Sequence, residues 1–303
     1  MPACLRILIL ALIVSGGVDA QQATLRSGKL ANILNRTQST DLKTREAAFY
    51  DLYGFWSEGI DESQYTGELG VPQQRDILNK FFARHPAESE RVKLGLIRLL
   101  KTENSTSESA IIESADENYG EYVFALTEAV SALKDERAIP ALVGAISYSG
   151  VDLLQYGDKA LGPILAQRSS PDALVRARSL ELAVRILRMK KNGVSRAREA
   201  DLIRSSLNDP APVVRGAATH EIVCLDNPLE FVPTLEQIAK KDPAKFGPGK
   251  ADDGGDGDEF YPVRSDAKRA LREIQNKKEM VRLTDAYGAW AASRCPAGSG
   301  ARH

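Results

Sequence analysis

Apolar residues recur along most of this chain at intervals of three and four, the spacing of helices with one buried face. Alternation typical of strands is scarce. Three early segments show the helical spacing: STDLKTREAAFYDLYGFW (39–56), VPQQRDILNKFFARH (71–85) and PAESERVKLGLIRLLKTEN (86–104). The last two carry Pro72 and Pro86 near their starts, where a missing N–H costs no helical hydrogen bond. The pattern predicts an all-α chain of short helices joined by short turns.

Three later helical segments share one internal spacing around a Val-Arg pair. Each has a small residue three positions after the arginine and an aliphatic residue ten after it. The shared positions are Val175, Arg176 and Ser179, then Val214, Arg215 and Ala218, then Val263, Arg264 and Ala267. Successive arginines are 39 and 49 residues apart, and the shorter interval is the length of a helix-turn-helix repeat. The pattern therefore predicts stacked helix pairs, with an insertion in the longer interval.

Each repeated position has a packing explanation. The small residue allows neighbouring helices to approach closely, and the flanking valine and aliphatic residue fill the layer between them. We expect the arginine to reach a carbonyl or carboxylate of the next repeat, in preference to a ligand. Prolines also recur in the intervening helices, at Pro140, Pro163 and Pro233, where they kink or restart a helix.

The segment DERAIPALVGAI (135–146), followed by Val-Arg-x-x-Ala helices, resembles the HEAT and HEAT-like repeat family, including its phycobilisome-lyase type. The resemblance is clearest over about residues 119–275 and implies an α-solenoid of HEAT-like helix pairs. We expect the repeats to occupy 119–293, with an insertion loop at 242–259 and a disordered tail at 294–303. Residues 39–118 are expected to form divergent repeats or a terminal cap.

The first twenty residues have the three-part order of a secretory signal peptide. Arg6 is followed by an apolar run over 7–14 and then by small residues, with a predicted cut between Ala20 and Gln21. The run is much shorter than the ~20 residues that span a bilayer, so the mature chain is expected to have no integral membrane segment. Residues 21–38 are polar and predict a linker or disordered arm. The expected location is extracytoplasmic, periplasmic or secreted.

Charge and cysteine content narrow the classes of partner. With 40 Lys and Arg against 41 Asp and Glu, the chain lacks the basic excess that nucleic-acid binding usually needs. Only Cys224 and Cys295 follow the predicted signal. We expect Cys224 to be a buried structural thiol, and the alternative is a Cys224–Cys295 disulfide in an oxidising compartment.

Motifs for catalysis are absent from the sequence. The three histidines, at 85, 220 and 303, form no zinc-binding spacing, and neither a nucleophile elbow nor a phosphate-binding glycine signature occurs. We therefore predict no catalytic residue and no cofactor. The cluster of five aromatic residues within 49–56 is expected to pack in the core, with a ligand groove as the alternative.

The segment KADDGGDGDEFYPVR (250–264) was compared with a calcium loop, because it concentrates carboxylates between glycines. From Asp252, Gly254 falls at position three and Val263 at position twelve, where an EF-hand needs oxygen ligands. The template fails, so we expect a solvated insertion, with weak Ca²⁺ binding as the alternative. The metal candidates would be Asp252, Asp253, Asp256, Asp258 and Glu259.

The functional expectation follows mainly from the resemblance. A HEAT-like solenoid implies a non-catalytic scaffold that binds a protein or peptide on its concave face. The alternatives are a lyase-type HEAT-like enzyme and a weakly Ca²⁺-responsive binding protein.

Overall fold

The computed structural model is helical and describes residues 24–60, 70–104, 117–150, 152–190, 192–245 and 261–280. No β-strand occurs in these ranges, so the all-α prediction is confirmed. The helices are α1 (24–36), α2 (Leu42–Ser57), α3 (Val71–Arg84), α4 (Pro86–Glu103), α5 (Glu117–Ala132), α6 (Ile139–Gly144), α7 (Ile146–Ser149), α8 (Asp158–Ala166), α9 (Ala173–Met189), α10 (Gly193–Ser206), α11 (Pro212–Ile222), α12 (Val232–Lys241) and α13 (Pro262–Met280). Among the described helices, none is both long and apolar enough to cross a bilayer.

The chain divides into two compact units. Unit 1 comprises residues up to Ser105 together with Asn118–Leu133, and unit 2 holds Thr106–Glu117 and the chain from Lys134 onwards. The sequence placed the start of the HEAT-like repeats at 119, whereas the structure groups nearly all of α5 with the N-terminal helices. The reason is packing: α5 buries Tyr122 against Phe49 of α2, with ring centroids 5.7 Å apart.

Unit 1 has an aromatic core. Phe49, Phe55 and Trp56 of α2 are each 1 % exposed, and Phe55 meets Phe81 of α3 edge to face. Tyr50 differs from its neighbours, because 48 % of its surface remains exposed. Three of the five aromatic residues within 49–56 therefore pack in the core, while Tyr53 is half-buried and Tyr50 is exposed.

Residues 24–36 form a helix, where the sequence predicted a linker or disordered arm. Leu30 and Ile33 of α1 are buried, and Leu34 lies directly against Gly95 of α4. A Cβ at Gly95 would be 2.4 Å from Leu34 Cδ2, so glycine permits this close approach. The segment is mostly polar, so its two buried apolar residues, three positions apart, did not lead to the prediction of a helix.

Unit 2 places its longer helices side by side. α9 packs on α11, and α11 packs on α13, while α10 contacts both α9 and α11 and α12 packs on α13. Ser179, Ala218 and Ala267, the small residues of the three repeated segments, are completely buried where these helices meet. Their short side chains let the helices approach, and a shared core surrounds them that includes Leu180, Ile222 and Ile274.

Candidate functional site

A recurring turn precedes each of the repeat helices. Ser170 accepts a hydrogen bond from the N–H of Asp172, Asp209 from Ala211, and Asp242 from Ala244. Short polar side chains that bond the backbone two residues on are typical of such turns. In unit 2 these turns start the repeated segments in a common geometry.

The repeat arginines cross-link these turns. Arg176 Nε and Nη2 bind both carboxylate oxygens of Asp209, at 3.0 and 2.8 Å. Arg215 binds Asp242 in the same bidentate way, at 2.7 and 2.9 Å. The Nη1 atom of each arginine also donates to two backbone carbonyls of its own turn, those of Ser170 and Pro171 or of Asp209 and Pro210. We call the set Arg176, Asp209, Arg215, Asp242 and Arg264 the arginine ladder.

The ladder continues across the acidic insertion. Arg264 donates from Nε to the carbonyl of Asp242 and stacks on Tyr261, with its guanidinium carbon 3.9 Å from the ring centroid. Arg215 lies six residues after the Asp209 carbonyl that it binds, whereas Arg264 lies 22 after that of Asp242. The stretch of chain between the Asp242 carbonyl and Arg264 is therefore sixteen residues longer than the matching stretch between Asp209 and Arg215.

The carboxylates of the ladder titrate abnormally. The hydrogen bond from Arg176 lowers the pKa of Asp209, and the N–H of Ala211 adds to this effect. Burial alone would raise the pKa of Asp242, but the hydrogen bonds from Arg215 and the N–H of Ala244 outweigh it and lower the pKa. Both acids therefore stay ionised at neutral pH and hold the ladder together.

The helices aligned by the ladder form a groove that encloses about 440 Å³. The residues that line the groove occupy the same positions in α9, α11 and α13, counted from Arg176, Arg215 and Arg264. Two residues before the arginine lie apolar side chains, Leu174, Val213 and Pro262. Five residues after it lie polar ones, Glu181, His220 and Arg269. We call this feature the three-helix groove.

The charged residues that α9 and α13 contribute to the three-helix groove are paired within their own helix. Arg178 and Glu181 of α9 form an ion pair at 2.9 Å, and Asp266 and Arg269 of α13 form another at 2.7 Å. Between them, α11 contributes Gly216, where a Cβ would lie 3.2 Å from Asp266 Oδ2. The groove thus has an apolar edge, a narrow middle and an ion pair at each side.

A buried ionic cluster joins α9, α10 and α11. Arg188 binds Glu199 and Glu221, each at 2.8 Å, and both carboxylates are only 3 % exposed. Burial raises the pKa of Glu199, against the attraction of Arg188. The cluster fixes three helices to one another, and Glu199 also reaches the wall of a cavity of about 340 Å³.

That second cavity lies between α10 and the turn after α11. Its exposed charges pair with each other, Arg196 with Asp226 at 2.6 Å and Arg204 with Asp201 at 2.6 Å. In the part of the chain that the structure describes, no group of three or more His, Cys, Asp or Glu side chains is arranged to hold a metal ion. The acidic candidates at 252–259 lie outside the described residues.

Cys224, which follows α11, is disulfide-bonded. It is half-buried, and its partner cysteine lies outside the described residues. The expectation of a free buried thiol is therefore wrong, while its pairing with Cys295 stays a prediction. The predicted cleavage site at Ala20 and Gln21 also lies outside the described residues.

Unit 1 contains the same arrangement of contacts as the arginine ladder, which the Val-Arg spacing did not predict. Arg45 Nη1 donates to the carbonyls of Ser39 and Thr40, and its Nε binds Glu103 at 2.6 Å. Ser39 in turn accepts from the N–H of Asp41, as Ser170 does from Asp172. Ala48 lies three residues after Arg45 and is buried, as in the other repeats. The repeat pattern did not include this helix because Thr44, and not a valine, precedes Arg45.

No protein-family model matches the chain, and neither the curated proteins nor the solved structures contain a match to it. The candidate site is therefore assigned from its geometry alone.

Proposed function

We propose that this protein is an exported, non-catalytic scaffold of HEAT-like repeats that binds a peptide segment of a protein partner in the three-helix groove. The observation that carries the proposal is the construction of the groove, since three helices contribute side chains from the same repeat positions. A surface built from repeated positions is how stacked helix pairs bind extended chains.

The packing order supports an α-solenoid. α9, α11 and α13 neighbour one another in chain order, with α10 and α12 as their paired helices. The arginine ladder fixes the position of each turn relative to the next, because each bidentate pair joins one repeat to the next.

The groove's chemistry favours binding over catalysis. Glu181 and Asp266 are each engaged in an ion pair by an arginine of their own helix. Val213 is 41 % exposed at the apolar edge and offers a contact for an apolar side chain of the partner. Paired charges nearby offer hydrogen bonds to a peptide backbone.

Export is supported by two features. One is the signal-peptide order of residues 1–20. The other is the disulfide at Cys224, since disulfides persist mainly in oxidising compartments.

The test is affinity capture with the mature chain from the extracytoplasmic fraction of its source, comparing two surface variants. Val213→Glu places a charge on the apolar edge of the groove, whereas Val194→Glu makes the same change on α10, at a valine that is 82 % exposed. We expect one stoichiometric partner with the wild-type chain and with Val194→Glu, and at least a tenfold loss with Val213→Glu.

Equal recovery with both variants would place the partner elsewhere. Turnover of a small molecule without any captured protein would favour the lyase-type alternative. Circular dichroism of both variants checks that the helices remain folded.

A further inference from the structure

Two exposed aromatic rings stand out in unit 1. Tyr50 of α2 and Phe124 of α5 are 48 % and 49 % exposed, although the neighbouring Phe49 and Tyr122 are buried. Large apolar side chains that remain exposed in a folded protein can mark contact surfaces.

The two rings occupy equivalent repeat positions. Tyr50 lies five residues after Arg45, as His220 lies five after Arg215 in the three-helix groove. Phe124 lies five residues after Tyr119, whose hydroxyl donates to Glu103, the carboxylate that also binds Arg45. Phe49 and Tyr122 are in ring contact between α2 and α5. Tyr50 follows Phe49 directly, Glu121 precedes Tyr122 directly, and Phe124 lies one turn after Glu121.

Unpaired carboxylates flank these rings. Glu46 lies one turn before Tyr50, and Glu121 lies one turn before Phe124. Neither glutamate has an ion-pair partner in the described part of the chain. Burial raises the pKa of the Tyr50 phenol, and the negative charges of the two glutamates add to this effect. Arg45 is already engaged by Glu103, and Lys43 lies two turns away from Tyr50.

Two glycines leave space beside the rings. A Cβ at Gly54, one turn after Tyr50, would meet nothing within 4 Å, and the same holds for Gly120, next to Glu121. Glycine inside a helix costs roughly 0.5–1 kcal/mol relative to alanine. No contact among the described residues explains that cost here, and the open space lets a partner approach the helix backbone.

We propose that this surface, defined by Glu46, Tyr50, Glu121 and Phe124 and called the aromatic face, binds an arginine- or lysine-bearing segment of another protein. Guanidinium and ammonium groups are attracted to aromatic rings and to carboxylates together, so this combination selects a cationic partner. The aromatic face belongs to unit 1, and its function does not depend on that of the three-helix groove.

The experiment measures fluorescence anisotropy of a short fluorescein-labelled peptide of alternating arginine and glycine, titrated with the mature chain. A peptide of alternating glutamate and glycine serves as the charge control. The double variant Tyr50→Ala/Phe124→Ala should weaken binding roughly four- to twenty-five-fold, because each exposed ring contributes roughly two- to fivefold. Glu46→Gln/Glu121→Gln should weaken it roughly two- to tenfold and flatten its dependence on salt.

Matched control variants lie in unit 2. Val194→Ala and Glu236→Gln remove an exposed apolar side chain and an exposed carboxylate, and both should leave peptide affinity unchanged. Retained affinity in the aromatic double variant would overturn the proposal. So would equal binding of the acidic peptide, no binding of the basic one, or loss of binding on Val213→Glu, which would assign the peptide to the groove.

Discussion

At the scale of single residues, the arginine ladder is the strongest feature of unit 2. Arg176 and Arg215 each bind two carbonyls of their own turn and both carboxylate oxygens of an acid in the next repeat. Val-Arg spacing predicted that these arginines are structural. Their acids were not predicted, although Asp-Pro-Ala at 209–211 and again at 242–244 was a visible signal.

Loss of a ladder arginine should be costly. Arg215→Ala leaves the buried carboxylate of Asp242 without its bidentate partner, so we expect the free energy of unfolding to fall by about 3–5 kcal/mol. The matched control Arg178→Ala breaks an exposed pair and should cost less than about 1 kcal/mol. Urea unfolding followed by circular dichroism measures both, and similar losses would contradict a structural ladder.

Stability should respond to pH in opposite directions at two acids. The folded-state pKa of Asp209 is lowered by Arg176, so its contribution is complete above the unfolded pKa of about 3.9 and is lost as pH falls through the folded value. The pKa of Glu199 is raised by burial, so its contribution is complete below the unfolded pKa of about 4.3 and is lost as pH rises through the folded value.

The variants Asp209→Asn and Glu199→Gln separate these effects. Relative to Asp209→Asn, the wild-type chain should lose its stability advantage as the solution becomes acidic. Relative to Glu199→Gln, the wild-type chain should become more stable as the solution becomes acidic. Urea unfolding at a series of pH values measures both differences, and slopes of the same sign would refute the assignment.

At the scale of elements, the helices follow the apolar spacing, while their ends follow local turn chemistry. Pro140 and Pro233 lie at the starts of α6 and α12, as expected for a restart, whereas Pro163 lies inside α8. The ladder contact from Arg264 to the carbonyl of Asp242 forms although the insertion separates these two residues along the chain.

Removal of the insertion should preserve the fold. Deleting residues 245–260 restores the six-residue spacing from Asp242 to the ladder arginine that Asp209 and Arg215 already show. We expect the free energy of unfolding to change by less than about 1 kcal/mol, since closure entropy depends weakly on loop length. A Gly/Ser segment of equal length is the control for composition. A deletion variant that no longer unfolds cooperatively would show that the segment contributes to the core.

At the scale of the whole molecule, the two units use one local design with different outer surfaces. Arg45 with Glu103 in unit 1 matches Arg176 with Asp209 in unit 2. The equivalent outer positions hold exposed aromatic rings in unit 1 but Glu181, His220 and Arg269 in unit 2, so we expect the units to bind different chemistry.

The disulfide offers a test of the mature chain as a whole. In a chain cleaved between Ala20 and Gln21, as the sequence predicts, Cys295 is the one cysteine left to pair with Cys224. The non-reduced chain should therefore resist alkylation, and reduction should lower the free energy of unfolding by roughly 2–5 kcal/mol. Cys295→Ala serves as the control, because it should expose Cys224 to alkylation. A mature chain that alkylates freely without reductant would contradict the pairing.

The sequence alone determined the helical class and the register of three repeat helices, because apolar spacing and small residues act locally along a helix. It did not determine that residues 24–36 form a helix, since Leu30 and Ile33 are buried only by packing within unit 1. It also placed an insertion loop at 242–259 between two helices, but it did not identify the partners of the ladder arginines. Those partners, the groove and the aromatic face depend on residues that are distant along the chain, and only tertiary packing brings such residues together.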